Sequence, residues 1–306
     1  MPPVADTEHP IVWLHHAGQN LGLVPSLGGS VAAWQIDADD DPIDLWRPWD
    51  GQKPDLYTLA SFAMLPWSNR ISQGGFSEGG QFHPMRPNRA GEPYPIHGDA
   101  WLQAWTLSRP AADTLVMSLV SKHFDGNPYA YRATQTFRLV EGGLDHRVEV
   151  EHLGESPLPY GLGVHPWFPR TPRTRLHAPV KGVWLCGDDP LPTGHTRDFP
   201  AGWNLSDGMD ANGSLIDNGF TGWDGTARIT WPERELQLTL AMRDLTPNEE
   251  QFCLVYRPPV GPAFCFEPIT QPIDAFHLPG RPGLRVLAKG ERLSLDMAWR
   301  FGHISA

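Results

Sequence analysis

The sequence predicts an all-β protein, a large antiparallel β-sandwich, from three observations. Apolar and polar residues alternate in many short segments, and no window of a dozen residues repeats its apolar positions with a helical period. The 32 prolines and 31 glycines are spread along the chain, where they interrupt helices and mark turns. Short strands with frequent turns are typical of a sandwich or barrel, whereas a doubly wound nucleotide-binding fold needs helices between its strands.

Strict alternation marks three segments as half-buried strands. These are residues 144–150 after the Gly142-Gly143 turn, residues 236–242, and residues 293–299 after Lys289-Gly290. Shorter candidates are 114–120, 133–140 and 227–231. Proline- and glycine-rich stretches at 66–98, 154–172 and 187–225 are predicted to be long loops, where function often resides in a β protein. We see no domain boundary, so residues 1–306 are expected to form a single domain.

Composition and charge exclude several classes of partner. With 40% hydrophobic and 19% charged residues the chain is globular, and its apolar runs fall short of the ~20 residues that cross a bilayer. A net charge of -11 argues against nucleic acid, which requires a basic surface. The N-terminus has neither the basic start nor the apolar core of a signal peptide, so a cytoplasmic location is expected.

The chain also lacks the motifs of the common cofactor and metal chemistries. There is no phosphate-binding glycine loop, no serine nucleophile motif and no zinc-binding helix motif, so neither a cofactor nor a metal is expected. His15 and His16 are adjacent, and on a strand they would point to opposite faces. The cysteines are expected to be buried apolar residues without a redox role. They are Cys186, Cys253 and Cys265.

Two residues in apolar surroundings are candidates for proton transfer. Glu267 ends an apolar run that Pro268 is expected to stop. A desolvated carboxyl there would have a raised pKa suited to a general base, but the spacing equally allows a solvent-facing glutamate at a strand end. His165, between Val164 and Pro166, could titrate at working pH, although a hydrogen-bonded core histidine is the more frequent explanation of such a segment.

Five short motifs occur in order along most of the chain. They are N-R at 69–70, H-G at 97–98, H-P-W-F at 165–168, D-N-G-F at 217–220, and F-E-P-I-T-Q-P-I-D-A-F-H at 266–277. This set resembles the aldose 1-epimerase (galactose mutarotase) family. The segment from Val24 to Gly29 is similar to that family's first hairpin, and residues 287–291 are similar to the lead into its last strand.

The resemblance implies a galactose mutarotase-like supersandwich, no cofactor, and a small monosaccharide as substrate. It implies that His165 protonates the ring oxygen and that Glu267 takes the proton of the anomeric hydroxyl. Further residues would hold the sugar: Asn69, Arg70, His97 and Asp217. Trp167 or Trp223 could cover the apolar face of the sugar, although core packing would explain either tryptophan equally well.

The chain departs from the family pattern in ways that leave the substrate open. Trp167 replaces the usual tyrosine after H-P, and Asp99 replaces a second glycine after His97. Arg86 and Arg89 raise the alternative of a sugar-phosphate 1-epimerase. A non-catalytic sugar sensor is a second alternative, although a binder needs neither an acid nor a base. A glycosidase or lyase is a third, and glycosidases usually need a pair of carboxylates.

Overall fold

The protein is built from short and long antiparallel strands with very little helix. The computed structural model describes residues 8–53, 55–243, 245 and 249–304. The strands are β1 (Val12–His16), β2 (Gln19–Val24), β3 (Ser30–Ile36), β4 (Ile43–Trp46), β5 (Ala63–Met64), β6 (Gly75–Glu78), β7 (Gln81–Pro84), β8 (Thr106–Ala111), β9 (Thr114–Lys122), β10 (Ala130–Val140), β11 (Gly143–His152), β12 (Leu158–Tyr160), β13 (Gly163–Val164), β14 (Trp167–Pro169), β15 (Arg175–His177), β16 (Gly182–Cys186), β17 (Pro192–Thr196), β18 (Met209–Asp210), β19 (Ile216–Trp223), β20 (Thr226–Trp231), β21 (Leu236–Arg243), β22 (Gln251–Arg257), β23 (Ala263–Ile269), β24 (Arg285–Leu287) and β25 (Arg292–His303).

Helical structure is limited to single 3₁₀ turns in the part of the chain that the structure describes. They are Leu56–Thr58, Ala100–Leu102, Phe124–Gly126, Leu205–Asp207 and Pro232–Arg234. The prediction of an all-β chain is therefore confirmed. No helix among the described residues is long and apolar enough to span a membrane. The expectation about a signal peptide concerned the N-terminus, whose residues 1–7 lie outside the described residues.

Two large sheets form the two layers of the sandwich. The first has nine strands in the order β18-β15-β20-β21-β25-β11-β10-β9-β8, and the second has the path β17-β16-β19-β22-β23-β13-β5 with β14 also paired to β23. Side chains from both sheets share one apolar core, where the ring of Phe168 from the second sheet lies 5.9 Å from that of Trp299 in the first. Strands β1 to β4 form a further sheet packed on the same core.

All six predicted strands, the three from alternation and the three shorter candidates, are present, and all six lie in the nine-stranded sheet. The reason is visible in their burial, because each has one face on the core and one towards solvent, as in β11, where every second residue is buried. A half-buried strand leaves an alternating sequence, which is clearest in the segments 144–150, 236–242 and 293–299.

The predicted loops were wrong in several places, because each of the three stretches contains strands. Residues 66–98 include the β6–β7 hairpin, residues 154–172 include β12 to β14, and residues 187–225 include β17 to β19. Strand β19 is nearly buried throughout and sits inside the second sheet, so its sequence does not alternate. Pro268 also fails to end its strand, since β23 continues to Ile269.

Candidate active site

One face of the second sheet forms the floor of a cavity. Residues paired directly across antiparallel strands project to the same side, and the register aligns Asp217 with Tyr256, Tyr256 with Cys265, and Cys265 with Trp167. Glu267 lies two residues beyond Cys265, so it projects from the same face. The intervening residues, such as Phe264 and Phe266, enter the core of the sandwich instead.

The cavity has a volume of about 400 Å³, and loops from the first third of the chain form part of its wall. It is lined by Tyr57, Asn69, Arg70, Arg89, Glu92, Ile96, His97, His165, Trp167, Asp217, Leu254, Tyr256 and Glu267. All seven residues predicted from the sequence to form a site are among them. A volume of this size suits a single small molecule.

His165 and Glu267 meet inside this cavity. The imidazole Nε2 lies 3.3 Å from Oε1 of the carboxyl group, and their side chains are only 4% and 1% exposed. Within the described residues neither carboxyl oxygen of Glu267 has a hydrogen-bond partner, and neither does Nδ1 of His165. Buried polar atoms are normally paired, so this pair has unused capacity to hydrogen-bond a ligand.

Burial shifts both groups towards their uncharged forms. Desolvation lowers the pKa of His165 to about 3, and it raises the pKa of Glu267 well above its usual value, with the negative charge of Asp217 acting in the same direction. Burial thus favours the protonated carboxyl group of Glu267 and the unprotonated imidazole of His165. With one proton between them, one member of the pair can donate a proton while the other accepts one.

Aromatic rings hold the imidazole of His165 in place. Phe62 stacks on it at 4.8 Å and Trp167 at 5.6 Å, while Tyr57 contacts it edge-on. Trp167 is a wall of the cavity. Trp223 is not, because its ring packs on Phe266 in the core, so the suggestion that Trp223 covers a ligand was wrong.

His97 is positioned as a hydrogen-bond donor. Its Nδ1 accepts a hydrogen bond of 3.1 Å from the backbone N–H of Asn69, and its own backbone N–H donates to the carbonyl oxygen of Asn69 at 2.9 Å. Because Nδ1 is the acceptor, the proton of the neutral ring lies on Nε2. Burial lowers the pKa of His97 well below its usual value, and the positive charge of Arg70 acts in the same direction. The ring is therefore a neutral donor.

Gly98 fixes the path of the chain beside His97. It has a φ of +72°, and a Cβ atom at this position would lie 1.6 Å from the carbonyl oxygen of Leu65. We expect Gly98→Ala to lower the free energy of unfolding by at least ~3 kcal/mol, because both backbone strain and a steric clash oppose it. Gly80→Ala is the matched control, since Gly80 has a φ of +79° but open space around it.

Urea unfolding of the two variants tests this expectation. Gly80→Ala should cost only the ~1 kcal/mol of a left-handed alanine. Equal losses in the two variants would show that the contact with Leu65 does not restrict this position.

Arg70 is held by two acidic side chains. Glu92 accepts hydrogen bonds from Nε and Nη2 of Arg70 at 3.0 and 3.1 Å, and a carboxylate oxygen of Asp217 lies 3.7 Å from Nη1. Such a bidentate pair fixes the plane of the guanidinium group. Sequence reasoning missed Glu92, because an acidic residue in a loop carries no signal of its own; its partner is 22 residues away.

The two arginines that suggested an anionic substrate lie in different places. Arg89 lines the cavity and covers the ring of Tyr57 at 3.9 Å. Arg86 instead lines a separate cavity of about 180 Å³ together with Asp99. The carboxyl group of Asp99 accepts hydrogen bonds from Tyr131 and Asn127, and burial raises its pKa to about 6. Arg86 and Asp99 therefore lie apart from the cavity that Arg89 lines.

Comparison with known proteins identifies relatives along nearly the whole chain. The family model described as Aldose 1-epimerase matches residues 11–300. The protein YphB of Escherichia coli K12, whose function is uncharacterised, is 32% identical over 296 residues, covering 95% of this chain and 98% of YphB. A second protein of that bacterium, YihR, also uncharacterised, is 23% identical over 204 residues, 63% of this chain and 66% of YihR.

Solved structures share the fold. The crystal structure of an Escherichia coli K12 protein matches with a TM-score of 0.87 at 26% identity, covering 96% of this chain and 99% of that chain. A galactose mutarotase-like protein from Clostridium acetobutylicum gives a TM-score of 0.80 at 16% identity, with coverage of 97% and 96%. The GalM/aldose epimerase homologue from C. elegans gives 0.79 at 16% identity, with coverage of 97% and 100%.

Proposed function

The chain belongs to the aldose 1-epimerase family, and on that premise we propose that it interconverts the α and β anomers of a free aldose. The observation that carries the proposal is the contact between His165 and Glu267, two groups with complementary proton affinities that lie 3.3 Å apart in a cavity of monosaccharide size. Anomer exchange needs an acid and a base at the two oxygens bonded to C1, the ring oxygen and the anomeric hydroxyl.

The reaction proceeds through ring opening. One member of the pair takes the proton of the anomeric hydroxyl group while the other protonates the ring oxygen, and the bond between C1 and the ring oxygen breaks to give the open-chain aldehyde. Rotation about the C1–C2 bond presents the other face of the aldehyde, and the proton transfers then run in reverse. We assign the ring oxygen to His165 and the anomeric hydroxyl to Glu267, so in the form of the pair that begins ring opening the proton lies on His165 and Glu267 is a carboxylate.

His165 and Glu267 return to their starting protonation states at the end of each reaction cycle. The unliganded pair holds one proton that both members can carry, on the carboxyl group of Glu267 or as an imidazolium on His165. Ring opening moves protons through the sugar without changing the total, and ring closure restores the first arrangement. No electrons pass to a carrier and no group leaves the sugar, so the reaction itself calls for neither a cofactor nor a metal ion.

The size of the catalytic effect is consistent with acid–base catalysis alone. An acid and a base that each contribute ~10²–10⁴-fold lower the barrier by about 5–11 kcal/mol together. Mutarotation already proceeds unaided in water, so this contribution is sufficient.

The remaining polar groups would hold the sugar. The Nε2–H of His97 and the guanidinium group of Arg70 are hydrogen-bond donors, and the carboxylate of Asp217 is an acceptor. The cavity can therefore both donate hydrogen bonds to the sugar hydroxyl groups and accept hydrogen bonds from them. Trp167 supplies an apolar wall for the face of the ring. Asn69 orients this end of the cavity, because its side-chain oxygen accepts a hydrogen bond from the backbone N–H of Arg70.

The position of Arg70 leads to a prediction for Glu92→Gln. Glutamine offers Arg70 one acceptor in place of two and removes a negative charge, so the guanidinium group loses its fixed plane. We expect KM for the sugar to rise by about 5- to 50-fold with a smaller change in kcat, because Glu92 positions Arg70 and does not touch the reacting atoms. Glu141→Gln, at an exposed turn, is the control. A fall in kcat at unchanged KM would contradict the assigned role.

The charges around the cavity favour a neutral sugar over a sugar phosphate. Arg70 is already paired with Glu92 and Asp217, while Arg89 lies 3.4 Å from Asp55. A phosphate group would have to displace these acidic partners, and like-charge contacts are costly. We therefore expect kcat/KM for glucose to exceed that for glucose 6-phosphate by at least ~10-fold. An equal or greater value for the phosphate would establish the alternative substrate class.

Nuclear magnetic resonance exchange spectroscopy tests the proposed function directly. The exchange rate between the α and β anomer signals should increase in proportion to protein concentration for at least one of galactose, glucose, xylose and arabinose. If no sugar in the panel exchanges faster, the chain is not a mutarotase for a common free aldose.

A further inference from the structure

A buried thiol that the proposed reaction does not use lies on the strand that carries Glu267, between two residues of the cavity wall, Trp167 and Tyr256. Cys265 is fully buried on β23, and it projects from the same face of the strand as Glu267, two residues further on. The Sγ atom of Cys265, a ring nitrogen of His165 and a carboxyl oxygen of Glu267 all lie within 4.8 Å of one another. In the described part of the chain, no other group of three cysteine, histidine or acidic side chains has ligand atoms spaced in this way.

We propose that these three side chains bind a thiophilic divalent cation of the Zn²⁺ class, and that the ion inhibits the protein by occupying its acid–base pair. The inhibitory part of this inference rests on the proposed function, whereas the binding part does not. Thiolate, imidazole and carboxylate are the ligands that Zn²⁺ takes in proteins, while Mg²⁺ and Ca²⁺ prefer oxygen ligands alone.

The unpaired atoms of Glu267 and His165 support a ligand at this position. The side chain of Glu267 is 1% exposed and faces the cavity, yet neither of its oxygens has a hydrogen-bond partner among the described residues. Nδ1 of His165 is also without one. Buried polar atoms without partners are destabilising, and a bound cation would satisfy those of the carboxyl group.

The spacing requires only a small adjustment. Ligand atoms around a tetrahedral Zn²⁺ with bonds of about 2.0–2.3 Å lie roughly 3.3–3.7 Å apart. The largest separation here, up to 4.8 Å, therefore has to close by about 1 Å, which side-chain rotation can supply. Three protein ligands leave the fourth position open to the cavity, where water or a hydroxyl group of the sugar would bind.

Binding of the ion can be observed without any measurement of activity. Titration of the sugar-free protein with Cd²⁺, a spectroscopic substitute for Zn²⁺, should produce a thiolate-to-metal charge-transfer band in the ultraviolet. The absorbance of this band should saturate at one equivalent of Cd²⁺. The band should disappear in Cys265→Ser, which keeps nearly the same volume. Persistence of the band in this variant, or absence of a band in the wild-type protein, would overturn the proposal.

Cys186→Ser is the matched control, because Cys186 is the more accessible thiol near the cavity. It is partly exposed, and burial raises its pKa to about 11, with the charges of Asp217 and Arg70 also acting on it. If the metal binds to any available thiol, this variant loses the band. If the metal binds at Cys265, Cys186→Ser keeps it.

Calorimetry and X-ray absorption complete the test. The dissociation constant of Zn²⁺ should rise by at least ~100-fold in Cys265→Ser. Should this variant fail to fold, X-ray absorption of the Zn²⁺-bound wild-type protein decides: one sulfur among nitrogen and oxygen ligands supports the site, and no sulfur excludes it.

Competition by sugar separates this inference from the proposed function. An aldose that the protein turns over should weaken Zn²⁺ binding. If binding depends on Cys265 but no aldose competes or exchanges, the metal site stands and the proposed function fails. If aldoses exchange but the charge-transfer band is absent, the metal site alone fails.

Discussion

Glu267→Gln should lower the turnover of the sugar by at least ~100-fold while leaving its dissociation constant within a few-fold of the wild-type value. Glutamine keeps the shape of a protonated carboxyl group and can still hydrogen-bond a hydroxyl group, but it cannot take a proton. A 100-fold loss corresponds to about 2.7 kcal/mol in the barrier, within the range of one general base. Anomer exchange rates and calorimetry measure the two quantities.

The free energy of unfolding of Glu267→Gln should increase relative to that of the wild-type protein as the pH rises above about 5. Burial raises the pKa of Glu267 well above its ordinary value of 4.5, so the folded protein keeps a proton that the unfolded chain releases. The contribution of Glu267 to stability is therefore full below that ordinary value and is lost as pH rises through the folded-state pKa. Because the glutamine of the variant does not titrate, the difference in unfolding free energy should shift in favour of the variant as the pH rises from the ordinary carboxyl pKa of 4.5 towards the raised pKa of the folded protein.

Two outcomes would contradict the role given to Glu267. Near-wild-type turnover in Glu267→Gln would mean that another group is the base. A variant that neither turns over nor binds sugar would make Glu267 a binding or structural residue. Glu141→Gln, at an exposed turn, should leave both quantities unchanged.

His165→Asn is expected to have the second large effect, a loss of at least ~100-fold in turnover. Asparagine can donate a hydrogen bond to the ring oxygen but has no proton to exchange at working pH. The stacking of the imidazole on Phe62 and Trp167 is also lost, so some destabilisation accompanies the change. The variant should therefore be compared at a temperature well below its own unfolding midpoint.

His146→Asn is a closely matched control for His165→Asn. His146 is 1% exposed, it stacks on Phe137 at 4.2 Å, and burial lowers its pKa to about 3, as it does for His165. It lies outside the residues that line the cavity. Both variants should lose stability, but only His165→Asn should lose kcat. Equal losses of kcat in the two would show that the effect comes from a disturbed core.

The sequence predicted the nine-stranded sheet better than the sheet that carries the cavity. Strands such as β11 and β21 have one face on the core and one on the surface, so their sequences alternate. Strand β23 is buried at every position, and β19 and β22 at most of theirs. Alternation disappears where both faces are covered, and Gly219 and Thr221 further reduce the apolar signal of β19.

The candidate site followed from motif order more than from any single residue. Asn69, His97 and Glu267 lie far apart in the chain, and the family resemblance alone predicted that they meet; all seven predicted residues line one cavity. Glu92 and Tyr57 were missed. Glu92 acts by holding Arg70 and Tyr57 by lining the cavity, and neither role leaves a recognisable sequence motif. Arg86 and Arg89 were considered together because they are close in sequence, but they line different cavities.

Polarimetry of a freshly dissolved α-aldose tests the central claim, that the imidazole and carboxyl group act together on one bound sugar ring. We predict that catalytic amounts of the wild-type protein accelerate the decay of optical rotation to its equilibrium value, and that the Glu267→Gln and His165→Asn variants bind the same sugar without accelerating the decay. A wild-type protein that binds the sugar and leaves the rate of decay unchanged would be a sensor, and the proposed chemistry would be refuted.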